Sequence, residues 1–264
     1  MPIGDFEREV MRLIAANRNP DSFLGGATVL HQHPDSPRSS RDVDLFHDTT
    51  ESLAQASERD LATLQAAGYE VEVSKAQETC RRALVRRGTL VTRIEWVFDS
   101  AFRFFPVEPD LDLGWRLNFW DVATNKLLAL FGRAEARDFL DCLYLHERHL
   151  PLGALAWAAA GKDPGATPEL IIDWARRGAK YRPEDLADLR LSKPVDLRAL
   201  KPIWLRACAE AEALFEQLPP AEMGCLYLNP QGQPICPHPA SPNFAKLTRH
   251  FGSLKGAWPR IAKH

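Results

Sequence analysis

A chain of 264 residues has room for one large or two modest domains, at roughly 150 residues per domain. Its 45% hydrophobic and 26% charged residues are globular values and exclude a disordered or fibrous chain. With 33 Lys and Arg against 35 Asp and Glu the net charge is −2, so no global excess of charge argues for nucleic acid. The longest nearly apolar run, residues 152–161, is far short of the roughly 20 residues of a spanning helix. Asp5, Glu7, Arg8 and Glu9 stand where an export signal needs an apolar core. Five cysteines without tight spacing fit a reducing compartment. These features predict a cytoplasmic protein with no membrane partner.

Phe6, Val10, Leu13 and Ile14 recur at helical spacing, which predicts an amphipathic helix over residues 5–17. Asn19-Pro20 ends it, and Gly25-Gly26 then separates two short apolar stretches. After a polar loop, residues 42–46 alternate as a strand. Leu53, Leu61 and Leu64 predict a helix over residues 50–67, stopped by Gly68. Strands follow at residues 69–73, 79–85 and 89–98, the last two joined by a hairpin at Arg87-Gly88. This order predicts a small mixed sheet covered by helices.

From Trp120 onward the pattern is helical: residues 121–131 closed by Gly132, then 134–146, then a start at Thr167-Pro168. One or two further helices lie around Pro202. Residues 225–235 read as a hairpin around Asn229-Pro230-Gln231-Gly232. The expected fold is therefore α+β. A mixed-sheet domain at 1–113 precedes a helical domain at 114–220, with a hairpin and basic tail at 221–264 packed on the helices.

Asp42-x-Asp44 is the most informative feature. On a strand both carboxylates point to one face while Val43 and Leu45 point to the core. Like charges this close repel unless a cation or proton lies between them, and Mg²⁺ prefers such oxygens. Upstream, Gly25-Gly26 precedes a segment able to begin a helix, and both glycine backbone and helix N–H groups suit a phosphate.

Phe23-Leu24-Gly25-Gly26-Ala27-Thr28 followed by Arg38-Ser39-Ser40-Arg41-Asp42-Val43-Asp44-Leu45-Phe46 resembles the first motif of the AbiEii/AbiGii-type nucleotidyltransferase toxins. That family lies within the DNA polymerase β-like nucleotidyltransferase superfamily. Arg38, Ser40, Asp42, Asp44, Leu45 and Phe46 match its R-x-S-x-D-x-D-L-F wording. Residues 123–130, then Gly132-Arg133 and Arg137-Asp138 to Asp141, are similar to its K-x-x-A-L and R-D-x-x-D segment. The resemblance implies a nucleotidyltransferase domain at 1–113 and a third carboxylate on a neighbouring strand. Glu95 is the candidate, with Asp99 as fallback; the family more often has Asp there. It implies that Asp42, Asp44 and Glu95 hold Mg²⁺, two ions acting on the attacking hydroxyl and on the nucleotide phosphates. Gly25, Gly26, Arg38 and Ser40 would bind the nucleotide. Lys126 would offset the triphosphate charge, oriented by Asp138, which also has Arg133 within reach.

His31-x-His33 lacks further zinc ligands, and Cys225, Cys236 and His238 lack a fourth. The tail from Ser241 on carries Lys246, Arg249, Lys255, Arg260 and Lys263 without Asp or Glu, which suits a phosphate backbone. Phe244, Phe251 and Trp258 could stack on bases or pack the tail. The expected activity is Mg²⁺-dependent transfer of a nucleoside monophosphate from an NTP. The resemblance implies a toxin of a toxin–antitoxin or phage-defence pair, with a cognate antitoxin and with tRNA as acceptor. The alternatives are a member that binds nucleotide or protein without catalysis, for which Glu95 speaks, and an enzyme acting on a small molecule.

Overall fold

The computed structural model describes residues 3–32, 35–40 and 42–260. His33, Arg41 and Lys263 lie outside the described residues. The chain forms two compact units. The first takes residues up to Ala101 with Pro106–Val122 and Arg190–Ser192; the second takes Phe102–Phe105, Ala123–Leu189 and residues from Lys193 on. Among the described residues no helix is long and apolar enough to cross a membrane.

The first unit opens with α1 (Asp5–Ile14), extended to Asn17 by a 3₁₀ turn. It buries Phe6, Val10, Met11 and Ile14; Leu13, expected on that face, is exposed and Met11 takes its place. Next come β1 (Ser22–Leu24), α2 (Gly26–Leu30), β2 (Arg38–Ser39) and β3 (Asp42–His47). Then α3 (Thr50–Ala66) starts where Thr49 Oγ1 accepts the Ser52 N–H at 3.0 Å. Gly68, at φ +83°, ends it as expected. Strands β4 (Glu70–Ala76), β5 (Cys80–Arg87) and β6 (Leu90–Phe98) follow. The β5–β6 turn uses Gly88 in the left-handed region at φ +60°. Strand β7 (Phe102–Arg103) belongs to the second unit, while β8 (Glu108–Asp110) and β9 (Gly114–Arg116) return to the first.

The seven-stranded sheet runs β4-β5-β6-β3-β1-β9-β8. It is mixed: β3 lies parallel to β6, antiparallel to β1, and β1 parallel to β9. β1, β8 and β9 have no signature in the sequence, because three residues are too few to show a period. One sheet face buries Val43, Leu45, Ala83, Val85, Ile94 and Trp96, and α1 and α3 pack on it. Asp60 of α3, rather than the expected Leu61, enters this core. Its carboxylate takes Arg18 at 2.6 Å, Trp96 Nε1 at 2.8 Å and Asn17 at 2.9 Å. A charge buried this deeply is tolerated because every oxygen has donors. The opposite face carries Asp42, Asp44, Arg93 and Glu95.

The chain enters the second unit inside α4 (Phe119–Arg133), after Val122, and not at Gly114 as expected. Gly114 instead sits in β9 at φ +84°, against the Ala15 carbonyl and the Arg18 side chain. Gly132 does not close α4; it faces open space, and Ala134 at φ +51° makes the break. Then come α5 (Ala136–Arg148), α6 (Leu152–Ala159) and α7 (Pro168–Gly178), the last capped by Thr167 with Pro168 at its first position. Strand β10 (Arg190–Leu191) pairs with β2 in the first unit. α8 (Leu197–Phe215) runs unbroken through Pro202. Gly153 of α6 lets the Ala211 backbone of α8 approach, since a Cβ there would lie 2.8 Å from it.

The hairpin expected at 225–235 forms its turn and a short antiparallel bridge, Leu228 to Pro234, without a full return strand. Gly232 N donates to Asn229 O at 2.9 Å and Ile235 N to Tyr227 O at 2.9 Å. Pro234 and Pro237 bring no N–H to a return strand. β11 (Cys225–Leu228) therefore pairs with β12 (Thr248–Phe251) from the tail, and β13 (Ser253–Leu254) pairs with β7. Arg249 is committed internally: it meets Glu222 at 2.9 Å, donates to the Leu247 carbonyl at 2.6 Å, and lies over Tyr227 and Phe244. His250 is buried and meets the Phe104 carbonyl at 2.8 Å, whereas Phe251 and Trp258, expected as anchors, stay exposed.

Candidate active site

The site grows from the β1–α2 turn and two central strands. Gly25 N donates to the Asp44 carbonyl at 3.0 Å, fastening the glycine pair to β3. A Cβ on Gly25 would meet the Phe46 ring at 2.5 Å. Gly26, at φ +63°, lies directly against the Asp44 carboxylate, leaving no room for a side chain. The β3 start is clamped by Ser40 Oγ at 2.9 Å and Thr28 Oγ1 at 3.1 Å, both donating to the Asp42 carbonyl. The Ser40 hydroxyl proton is thus spent on the backbone of Asp42. Arg38 is buried, and its carbonyl accepts from Ser36 Oγ at 2.9 Å. His31 is buried too, with Nδ1 against Ser36 Oγ, and serves the loop.

The parallel register of β3 and β6 sets Asp42 beside Arg93 and Asp44 beside Glu95. Alternation then brings Asp42, Asp44 and Glu95 to one face. Antiparallel pairing adds Arg82 of β5 opposite Glu95. Arg93 makes an ion pair with Asp42 and lies 3.3 Å from Glu95; Arg82 Nε lies 2.8 Å from Glu95. Burial draws the Arg93 guanidinium down, but Asp42, then Glu95 and Asp44, outweigh it and hold it above its ordinary value. Asp99 stands apart: its N–H donates to the His47 carbonyl at 3.1 Å, at the far end of β3, and its carboxylate takes the Ser100 N–H.

Among the described residues, no three His, Cys, Asp or Glu side chains are already gathered for a metal ion. The donor set nevertheless suits magnesium in kind: hard carboxylate oxygens in adjacent registers, with a cation, Arg93, already shared between Asp42 and Glu95. Arg82 and Arg93 were not singled out from sequence as part of the site, although their alternation with Glu95 on paired strands was the available signal.

The second unit carries the other expected group. Lys126 of α4 is buried and meets Asp141 of α5 at 2.9 Å and Asp138 at 3.4 Å. Arg133 grips Asp138 through Nε at 2.7 Å and Nη2 at 3.0 Å. Asp138 therefore serves both cations, and Asp141 is the nearer partner of Lys126. Burial, then Asp138 and Asp141, push the neighbouring Cys142 thiol well up.

A glycine turn seated on an Asp-x-Asp strand, in a mixed sheet followed by helices, is the frame of the nucleotidyltransferases. The sequence matches the family model "Nucleotidyl transferase AbiEii toxin, Type IV TA system" over residues 11–217, and the chain belongs to that family of nucleotidyltransferase toxins. Solved structures agree on the fold. MenT4, a nucleotidyltransferase toxin from Mycobacterium tuberculosis, matches with TM-score 0.53 at 16% identity, covering 82% of this chain and 83% of its own. A candidate nucleotidyltransferase from Helicobacter pylori matches with TM-score 0.56 at 18% identity, covering 80% and 95%. JHP933 from Helicobacter pylori matches with TM-score 0.50 at 19% identity, covering 79% and 93%. No curated protein matches the sequence significantly.

Proposed function

We propose that this toxin moves a nucleoside monophosphate from an NTP to an RNA acceptor of the tRNA class, with Mg²⁺, and is restrained by a cognate antitoxin in the cytoplasm. The observation that supports it most is the register that sets Asp42, Asp44 and Glu95 on one face, with Gly26 against Asp44. Asp42, Asp44 and Glu95 would hold the metal, which supplies activation of the attacking hydroxyl and charge neutralisation on the phosphates. Gly25 and Gly26 give the triphosphate close access to backbone, and buried Arg38 would bind the nucleotide as the family motif implies. Ser40 acts by fixing the Asp42 backbone. Arg93 balances Asp42 and Glu95 in the free protein and would give up that place to a bound metal.

The test is incubation with Mg²⁺, each labelled NTP in turn and total tRNA. Label should enter tRNA with at least one NTP and be lost with a chelator. No labelled RNA with any NTP, alongside retained NTP binding, would favour a second reading. In it the chain binds without transferring, because Arg93 and Arg82 keep the carboxylates occupied.

A further inference from the structure

The second unit holds a cleft of about 490 Å³ between the end of α7 and the first turns of α8. That volume falls within the roughly 300–1,000 Å³ of ligand clefts. Phe139, Trp204 and Leu205 give it an apolar floor. Arg176, Lys180, Arg182, Arg198 and Lys201 line it against one carboxylate, Asp196. Asp196 is already used, because its Oδ1 accepts the Arg198 N–H at 2.9 Å as the cap of α8. Arg176 is paired with Glu212 at 2.6 Å, and Arg182 lies 3.7 Å from Asp185. Among the described residues, Lys180, Arg198 and Lys201 have no carboxylate partner, and all three are exposed. Three unbalanced cations around one concavity repel each other and stabilise nothing in the free protein; a polyanion reverses the sign.

We propose that this cleft is a docking site for the sugar–phosphate backbone of RNA. A protein partner would engage a broad face, on the order of 800 Å² a side. A concave cleft with cations on its walls and aromatic carbon on its floor instead suits a nucleotide of a chain. The proposal rests on the reading that the acceptor is RNA. It also moves the expected contact away from Arg249, whose charge is consumed inside the fold.

The test compares the full chain with the triple variant Lys180→Gln, Arg198→Gln, Lys201→Gln. The probe is labelled total tRNA, titrated over a salt series, with thermal melting and ATP binding measured in parallel. The variant should melt and bind ATP as the parent does, while tRNA affinity falls at least about tenfold at low salt. The slope of log affinity against log salt should shrink by about 2 to 3, near 0.9 for each phosphate that is no longer neutralised. A folded variant with unchanged affinity and slope would overturn the site and leave the RNA reading intact. A parent chain that binds ATP but no tRNA would overturn the RNA reading, and the site with it. Polyglutamate binding with the same loss in the variant, and no loss for tRNA, would assign the cleft to an acidic protein instead.

Discussion

The Asp42–Arg93–Glu95–Arg82 cluster of the first unit and the Lys126–Asp138–Asp141–Arg133 cluster of the second use the same side-chain chemistry in different surroundings. In the first, the side chains of Asp42, Arg93 and Arg82 are 22%, 36% and 37% exposed. In the second, Asp138 and Asp141 are fully buried and Lys126 is 9% exposed, while Arg133 holds Asp138 from the surface at 45% exposed. Half-exposed ion pairs contribute about 0–1 kcal/mol, because water competes for both partners. Breaking a buried pair by removing one partner costs about 3–5 kcal/mol, since an unbalanced charge remains. The open cluster can therefore exchange its cation, whereas the closed one is committed to keeping its own. A reacting site needs the first property and a scaffold needs the second.

The largest effect should come from the open cluster. Asp44→Asn keeps the shape beside Gly26 but removes the charge, so transfer should fall on the order of 1,000-fold, equivalent to about 4 kcal/mol of barrier. Its unfolding free energy from urea titration should stay within about 0.5 kcal/mol of the parent, as for surface changes. A large stability loss with modest loss of transfer would reverse the assignment of the two clusters. In the closed cluster, Lys126→Ala should destabilise by about 3–5 kcal/mol. Any role of Lys126 at the triphosphate must therefore be read in Lys126→Arg, which keeps the charge. If Lys126→Ala melted like the parent, the closed cluster would not be the scaffold described.

The contrast in burial also explains what the sequence could tell. Asp42-x-Asp44, the glycine pair and the alternation of β6 were legible because strand period two fixes faces without knowledge of neighbours. The pairing of β3 with β6 was not legible, and only that register puts Glu95 beside Asp44. Asp60 was hidden for a similar reason. A polar residue on a helix face reads as solvent-facing until the distant donors Arg18 and Trp96 are placed. The turn at 225–235 was legible because its residues are local, whereas the longer partner strand of β11 starts at Thr248 and was not.

A third test loads the first unit from beneath its sheet. His47, on the core side of β3, meets Ser22 Oγ at 3.0 Å. Burial, then the charge of Arg18, lowers its pKa from 6.5 to about 4. The unfolded chain thus binds the proton first, and stability should fall as pH drops from about 6.5 towards 4. The full loss would be roughly 3 kcal/mol, at about 1.4 kcal/mol for each factor of ten in proton affinity. Urea unfolding across this range should show that slope, flattened in His47→Asn. A variant with the parent's slope would assign the acid sensitivity elsewhere.

The smallest effect tests the exchange itself. If Arg93 occupies the place that a metal takes, then Arg93→Ala should lower the Mg²⁺ concentration needed for half-maximal transfer. A half-exposed pair is worth up to about 1 kcal/mol, which corresponds to roughly a fivefold shift. Arg82→Ala is the internal comparison. Arg82 meets Glu95 but not Asp42, so its shift should be in the same direction and smaller. A Mg²⁺ titration of both variants against the parent, with one NTP in excess, orders the three. A higher Mg²⁺ requirement in Arg93→Ala would mean that the guanidinium supports the metal–nucleotide complex instead of competing with it. Arg93 would then belong with the groups that bind the triphosphate, and the open cluster would resemble the closed one in keeping its cation throughout the reaction.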